Sequence, residues 1–408
     1  MKPPVFFLNK IESLRLRANA LTELRRDISL PPERDLKPEQ WEALESQLNS
    51  TANQLTTKLK SYADQFMSDQ NRPDVRVRLV QALGELEMDI TQSFTFYDTY
   101  MDVLTQRLSQ PIGSLLKGCD AIALDGTRRG FLADITIPPV VYCDRGFGAS
   151  TCREGVPLLA NTPNPMQFIA VPYSRLVEKY NLISVYHEVG HQTLMKLNMV
   201  PLLRRLFDEQ LGKAGAPAFV RALFANWVRE LGPDFWAFCL TGMAQTCSLR
   251  DVLFLSHEQA TYLTTRLTHP PGYLRFLVSV AWCRHIWGRG DWDEWEQNWK
   301  QNYPLTRLPA RMQEAYQTLE RFLPVVARIF CETRFTKFDH KPISGLFSLE
   351  DLSPTVLKRL ANEAAIRTTS FRQQPIGVQL AVFRLMRESR QTSLRTLDTA
   401  MTEWLTNL

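Results

Sequence analysis

Between residues 37 and 68 the apolar residues Trp41, Leu44, Leu48, Leu55, Leu59, Tyr62 and Phe66 recur at intervals of three, four and seven. That period puts them on one face of a long amphipathic helix. A second stripe follows Pro73-Asp74 and runs through Leu79, Leu83, Leu86, Ile90, Phe94, Tyr97, Met101 and Leu104. Residues 1–110 therefore read as an N-terminal helical lobe, an antiparallel hairpin with the first helix alongside.

The pattern changes at "QPIGSLLKGCDAIALDGTRRGFLADITIPPVVYCDRGFG", where Gly and Pro punctuate short β-branched runs such as "ADITI" and "PVVYC". These predict a small sheet, closed by "QFIAVP" at 167–172. Helical periodicity returns at Ser174 and dominates to about Arg334. Trp292, Trp295 and Trp299 sit there at helical spacing and read as core or lobe interface in preference to a ligand cage. Ser353-Pro354 looks like the N-cap and first turn of a new helix. Beyond it, Leu357, Leu360, Ala364, Val378, Val382 and Leu385 are the expected buried positions. The chain thus divides into 1–110, a core at 111–340 and a C-terminal helical region at 341–408, with no internal repeat. The expected class is mainly α, with a small β-sheet in the core.

Composition narrows the function classes. Of 408 residues, 44% are hydrophobic and 22% charged, the balance of an ordinary globular chain. The net charge is +5, but Lys and Arg are spread among acids, so no nucleic-acid stripe forms. The apolar patch near the N-terminus is too short for a secretory signal, and the run "YLRFLVSVAWCRHIW" is broken by Arg275, Arg284 and His285. No membrane insertion is expected. Seven cysteines without a C-x-x-C pair suggest neither a disulfide framework nor a cysteine zinc knuckle, and a reducing cytoplasm is the expected compartment.

The chemistry concentrates in "SVYHEVGHQT", residues 184–193. Residues four apart on a helix share a face, so His187 and His191 can aim both imidazoles at one metal ion, with Glu188 beside it. Zinc lowers the pKa of water to about 7, and a neighbouring carboxylate can take the proton as that water attacks a carbonyl. Leu176, Val177, Tyr180 and Ile183 precede the motif at helical intervals, which puts it well inside a helix. Gly190 costs about 1 kcal/mol there relative to Ala. It either admits a close neighbour to the metal face or is an ordinary packing glycine.

A catalytic zinc site usually has three protein ligands. Glu230 and Asp234 in "ANWVRELGPDFWAF" repeat the spacing of four and offer a ligand and a supporting carboxylate. The same stretch also reads as a loop, Gly232-Pro233-Asp234, entering a helix. Asp234 itself and Glu258 are the other candidates for third ligand.

With these residues the chain resembles the gluzincin metallopeptidases, in which a Glu of an E-x-x-x-D segment follows H-E-x-x-H. The resemblance implies a zincin-like core, Glu230 as the third zinc ligand and Asp234 as acceptor for a ligating histidine, His187. Further on, "LTHPPGYLRFL" is similar to the H-P-x-x-x-x-R segment of the membrane family that holds the CAAX prenyl endopeptidases and the bacterial heat-shock membrane protease. It supplies His269, Pro270 and Arg275. His269 or Arg275 would then stabilise an oxyanion; the other reading is a helix boundary with Arg275 solvated.

The resemblance spans three islands between about residues 167 and 280. It departs from the families at Gly232-Pro233, in lacking transmembrane helices, and in lacking a G-x-M-E-N type segment. The expectation is a cytoplasmic zinc endopeptidase acting on peptide or protein, with "QFIAVP" pairing with substrate by strand addition. The alternatives are an inactive or structural metal-binding scaffold whose helical lobes dock a protein partner, and a zinc hydrolase of a small amide or ester.

Overall fold

The computed structural model describes residues 3–69, 72–127, 137–146, 148–159, 162–264 and 268–408. The chain is mainly helical with a small three-stranded sheet. Contacts divide it into two compact units rather than three consecutive segments.

The first unit comprises Met1–Lys117, Ile137–Cys143 and Cys152–Phe168. It is built on α1 (Pro3–Ala20), α2 (Leu24–Ile28), α3 (Pro38–Asp69) and α4 (Pro73–Thr105). Helices α1, α3 and α4 pack on one another. The α3 stripe is buried as the period predicts, with Tyr62 half-buried. On α4 the buried set drifts from Phe94 and Met101 to Phe96, Tyr100 and Val103, because 3.6 residues per turn outrun a repeat of seven.

Next come α5 (Gln110–Thr127), β1 (Val140–Asp144), β2 (Ser150–Cys152), β3 (Pro157–Leu159), β4 (Thr162–Pro163) and β5 (Phe168–Pro172). The start of the expected sheet region is therefore helix. Gly113 and Gly118 in α5 are close-contact positions and not turn signals: a Cβ on Gly113 would meet the Arg107 backbone, and one on Gly118 the Leu405 carbonyl. "PVVYC" and "QFIAVP" do form strands, while "ADITI" lies almost wholly outside the described residues. The sheet order is β1-β5-β2. Strand β5 is central and all five of its residues are buried. It has neighbours on both sides, so the expected substrate pairing along "QFIAVP" is overturned.

The second unit comprises Gly118–Thr136, Asp144–Thr151 and Ile169–Leu408. Its first helices are α6 (Tyr173–Val177), α7 (Ser184–Lys196), α8 (Met199–Lys213), α9 (Ala218–Thr241), α10 (Met243–Val252) and α11 (His257–Ala260). Then follow α12 (Gly272–Trp287), α13 (Asp291–Asn302), α14 (Ala310–Arg321), α15 (Leu323–Glu332) and the hairpin of β6 (Arg334–Phe335) with β7 (Lys341–Pro342). The tryptophans of α13 are packing groups: Trp292 and Trp299 are buried, and Phe276 lies 4.6 Å from the Trp299 ring.

The C-terminal helices are α16 (Pro354–Leu360), α17 (Glu363–Ile366), α18 (Thr369–Arg372), α19 (Ile376–Ser389) and α20 (Leu394–Thr406). They belong to this unit and do not form a region of their own. Helix α19 packs on α10, and its fully buried Arg384 donates to the Cys247 carbonyl at 2.8 Å. Ser353 holds the N-cap place of α16 but makes no side-chain cap bond. Leu357, Val378, Val382 and Leu385 are buried; Leu360 is half-buried and Ala364 exposed. The helical phase resets between them, where Asn362 caps α17 through the Ala365 N–H. Among the described residues no helix is long and apolar enough to cross a membrane.

Candidate metal centre

The H-E-x-x-H motif opens a helix instead of sitting deep within one. Helix α6 stops at Val177, Glu178 takes φ −95° and ψ 58°, and a 3-10 turn covers Lys179–Asn181 before α7 begins. Asn181 is buried and accepts from Ser248 at 3.2 Å, so a tertiary contact overrides the local helical period. His187 lies in the first turn of α7 and His191 one turn later.

Helix α9 runs unbroken through Gly232 and Pro233, so Asp234 is interior to the helix and the loop reading falls. Proline removes one backbone N–H bond and normally costs about 3 kcal/mol in a helix. Close packing of α7 on α9 offsets that cost. A Cβ on Gly190 would lie 2.8 Å from Pro233 Cα, and one on Gly232 would lie 2.7 Å from the Leu194 side chain. One glycine on each helix lets the two backbones approach, which answers what Gly190 is for.

This approach brings Glu230 to the two histidines. Nε2 of His187 and Nε2 of His191 are 3.1 Å apart, and the Glu230 oxygens lie 3.6 Å from the first and 3.9 Å from the second. One ligand atom from each falls within 4.8 Å of the others. Zinc with bonds of about 2.0–2.1 Å at tetrahedral angles holds its ligand atoms roughly 3.4 Å apart. The three donors bracket that spacing, and a His-His-Glu set suits zinc. Glu258 is exposed on α11 and lies outside the group.

Behind His187, Nδ1 meets Asp234 Oδ1 at 2.8 Å. With Asp234 accepting from Nδ1, Nε2 is left to face the centre. Arg275, from α12, donates through Nε to Asp234 Oδ2 at 2.6 Å and through Nη2 to Oδ1 at 2.8 Å. Its guanidinium therefore braces the supporting carboxylate and is not solvated. His269 stands on the other side, with Nε2 3.2 Å from Glu230 Oε2 and a 61% exposed side chain. Glu188 is buried beside the histidines.

Burial and charge compete across the cluster. Burial disfavours the His187 imidazolium, but Asp234 and then Glu230 outweigh it and push the pKa up to about 10. Burial and the neighbouring His187 charge push His191 down to about 3. Despite burial, His187 and Arg275 hold Glu230 at about 2 and Asp234 well below the carboxylate range. Burial is the main cause of a raised Glu188 pKa. The metal-free histidine pair thus carries a single positive charge, with the excess proton favoured on His187 by Asp234 and Glu230.

What sequence reasoning missed is the partner of Arg275: the spacing of the His-Pro segment carries no sign of which side of the centre the guanidinium reaches. Neither did any local signal predict that Tyr186, next to the motif, donates to Asp125 at 2.7 Å or that Trp236 donates to the Gly126 carbonyl at 3.1 Å. Both bonds tie α7 and α9 to the end of α5.

Comparison with protein-family models, curated proteins and solved structures finds no match for this chain. The class of the protein rests on the centre itself.

Proposed function

We propose that the protein is a zinc-dependent hydrolase of the metallopeptidase type, acting on a peptide or protein substrate. The observation that carries the reading is the convergence of His187, His191 and Glu230 with Asp234 locked behind His187. The charges that hold a proton on His187 would hold a divalent cation in its place, with release of that proton. Zinc there would supply Lewis acidity to a carbonyl and lower the pKa of water to about 7.

The chain's own residues do the rest. Glu188 takes the proton of the attacking water on a carboxylate oxygen, and its raised pKa suits passing that proton to the leaving amine. Asp234 fixes the tautomer and orientation of His187. Arg275 holds Asp234 in place, a positioning role that replaces the expected contact with the oxyanion. His269 is exposed with Nε2 3.2 Å from Glu230 Oε2, and by turning its N–H from that carboxylate it would stabilise the developing negative charge.

The test is elemental analysis of the purified protein and of its His187→Ala and Glu188→Gln variants, beside cleavage of a mixed-peptide library. The expected result is about one zinc per chain in the wild type and in Glu188→Gln, and little in His187→Ala. Cleavage should occur in the wild type alone. Zinc without cleavage of any peptide would make the ion structural, and no zinc after supplementation would sink the reading.

A further inference from the structure

Every α-helical glycine among the described residues but one has a neighbour within 4 Å of the place its Cβ would take. The exception is Gly84, exposed in the middle of α4, with nothing within 4 Å. Glycine weakens a helix relative to alanine, and here no contact within the chain and no left-handed backbone angle accounts for it. Bare backbone on an open helix face lets another helix come close, as Gly190 and Gly232 do between α7 and α9.

The face around Gly84 is apolar and uncovered. Val77, Val80, Gly84 and Met88 follow at steps of three and four, so they share one side of α4. Their side chains are 59%, 59% and 58% exposed for Val77, Val80 and Met88. Gln81 and Thr95 lie on the same side, and no charged residue between Val77 and Thr95 falls on it. Ion pairs from Lys10 and Arg17 to Glu87 place α1 along one flank. Phe6, on the α1 face that carries those two cations, is 63% exposed and extends the patch.

The charges beside this face are segregated along the helix. Arg76 and Arg78 precede Gly84, whereas Glu85, Glu87 and Asp89 follow it. Arg76 and Glu85 are exposed and form no ion pair among the described residues. Arg78 and Asp89 make only exposed pairs, with Asp74 at 3.3 Å and Lys58 at 3.6 Å. Turned end for end, the pattern is complementary to itself. With a two-fold axis between Gln81 and Gly84, Val77 of one copy faces Met88 of the other, and Arg78 falls between Glu85 and Asp89 of the other. A parallel pair would set arginine against arginine.

We propose that α4 is a homodimer interface, on which a second copy of this chain packs antiparallel across Gly84. Such a contact is isologous, so each pairing occurs twice and the assembly closes at two copies. One helix pair covers less than the roughly 800 Å² per partner of a standard interface, so the association is weak. It is independent of the metal centre and stands whether or not the chain hydrolyses anything.

The test is sedimentation equilibrium of the full-length protein from about 1 to 300 µM at low salt. Expected is a monomer–dimer equilibrium with a Kd on the order of 10–100 µM that weakens as salt rises. Gly84→Gln meets open space in its own chain but blocks the close approach. It should dimerise at least about tenfold more weakly, yet unfold at an equal or higher temperature, because glutamine is the better helix former. Arg78→Glu should also weaken the dimer at least about tenfold, and Arg78→Glu, Glu85→Arg should recover most of that loss. A monomer across the whole range overturns the proposal. So does a dimer that either single variant leaves intact, which would run through another surface, or a double variant that associates no better than Arg78→Glu.

Discussion

A methyl group on Gly190 would stand 2.8 Å from Cα of Pro233, closer than side chains come to backbone. The opposing atom is main chain, so α7 and α9 must separate to admit it. Gly190→Ala should therefore destabilise the protein by about 1–3 kcal/mol, as overpacking does, although alanine is the better helix former. Because Glu230 reaches the histidines only through this approach, zinc affinity should fall as well. Urea unfolding and competitive zinc titration measure the two effects; an unchanged affinity would separate the packing from the centre.

The carboxylate of Asp234 joins a histidine to a buried arginine, and removing its charge strands both. Asp234→Asn should cost about 3–5 kcal/mol, the usual loss when one partner of a buried ion pair is removed. It should also lower zinc affinity about 10–100-fold, since the orientation of His187 is lost. Chemical denaturation with and without zinc checks the two losses separately. A variant with wild-type stability would mean that Arg275 finds another partner.

Protons and zinc compete for His187, which gives the metal-free protein a defined pH profile. His187 has a raised pKa, so its contribution is complete below the unfolded value near 6.5 and is lost as pH rises to about 10. His191 has a lowered pKa: the unfolded chain takes up its proton as pH drops from about 6.5 to 3, so stability decreases as pH decreases through that range. Glu230 is depressed, and its contribution is lost from about 4.5 down to about 2. Thermal unfolding in chelator should show greatest stability near pH 6.5. With zinc bound the alkaline decline should vanish, because His187 then keeps only the Nδ1 proton it donates to Asp234 and has no imidazolium charge to lose. A metal-free profile flat between pH 6.5 and 10 would contradict the charge assignment.

Arg384 should be as costly to remove as any residue of the centre. It is fully buried and pairs with Asp251 at 2.9 Å and Glu388 at 2.7 Å besides the Cys247 carbonyl. Arg384→Ala should lose about 2–5 kcal/mol, because it empties a fully buried site and takes the donor from the Cys247 carbonyl. A chain cut after residue 340 should fail to fold its second unit, because α10 would lose α19. Limited proteolysis and circular dichroism of the truncated chain give the answer; a folded, protease-resistant product would restore an independent C-terminal region.

Periodicity by itself determined the long helices. An apolar side chain every three or four residues has one way to leave water, so Trp41 to Phe66 could be placed on a buried face without a structure. The spacing of four also determined the candidate ligands, since a helix puts His187 over His191 wherever that helix lies. Tertiary structure decided everything that depends on a neighbour's distance. Gly113 and Gly118 look like turn formers in sequence and prove to be contact points in a helix. Pro233 looks like a helix boundary and is held inside one by the packing around Gly190 and Gly232. Arg275 could face the centre or solvent by its spacing, and the fold turns it onto Asp234. Strand β5 could have been an edge, and a second neighbour made it central. In each case the local preference is a few kcal/mol at most, and burial against one particular partner exceeds it.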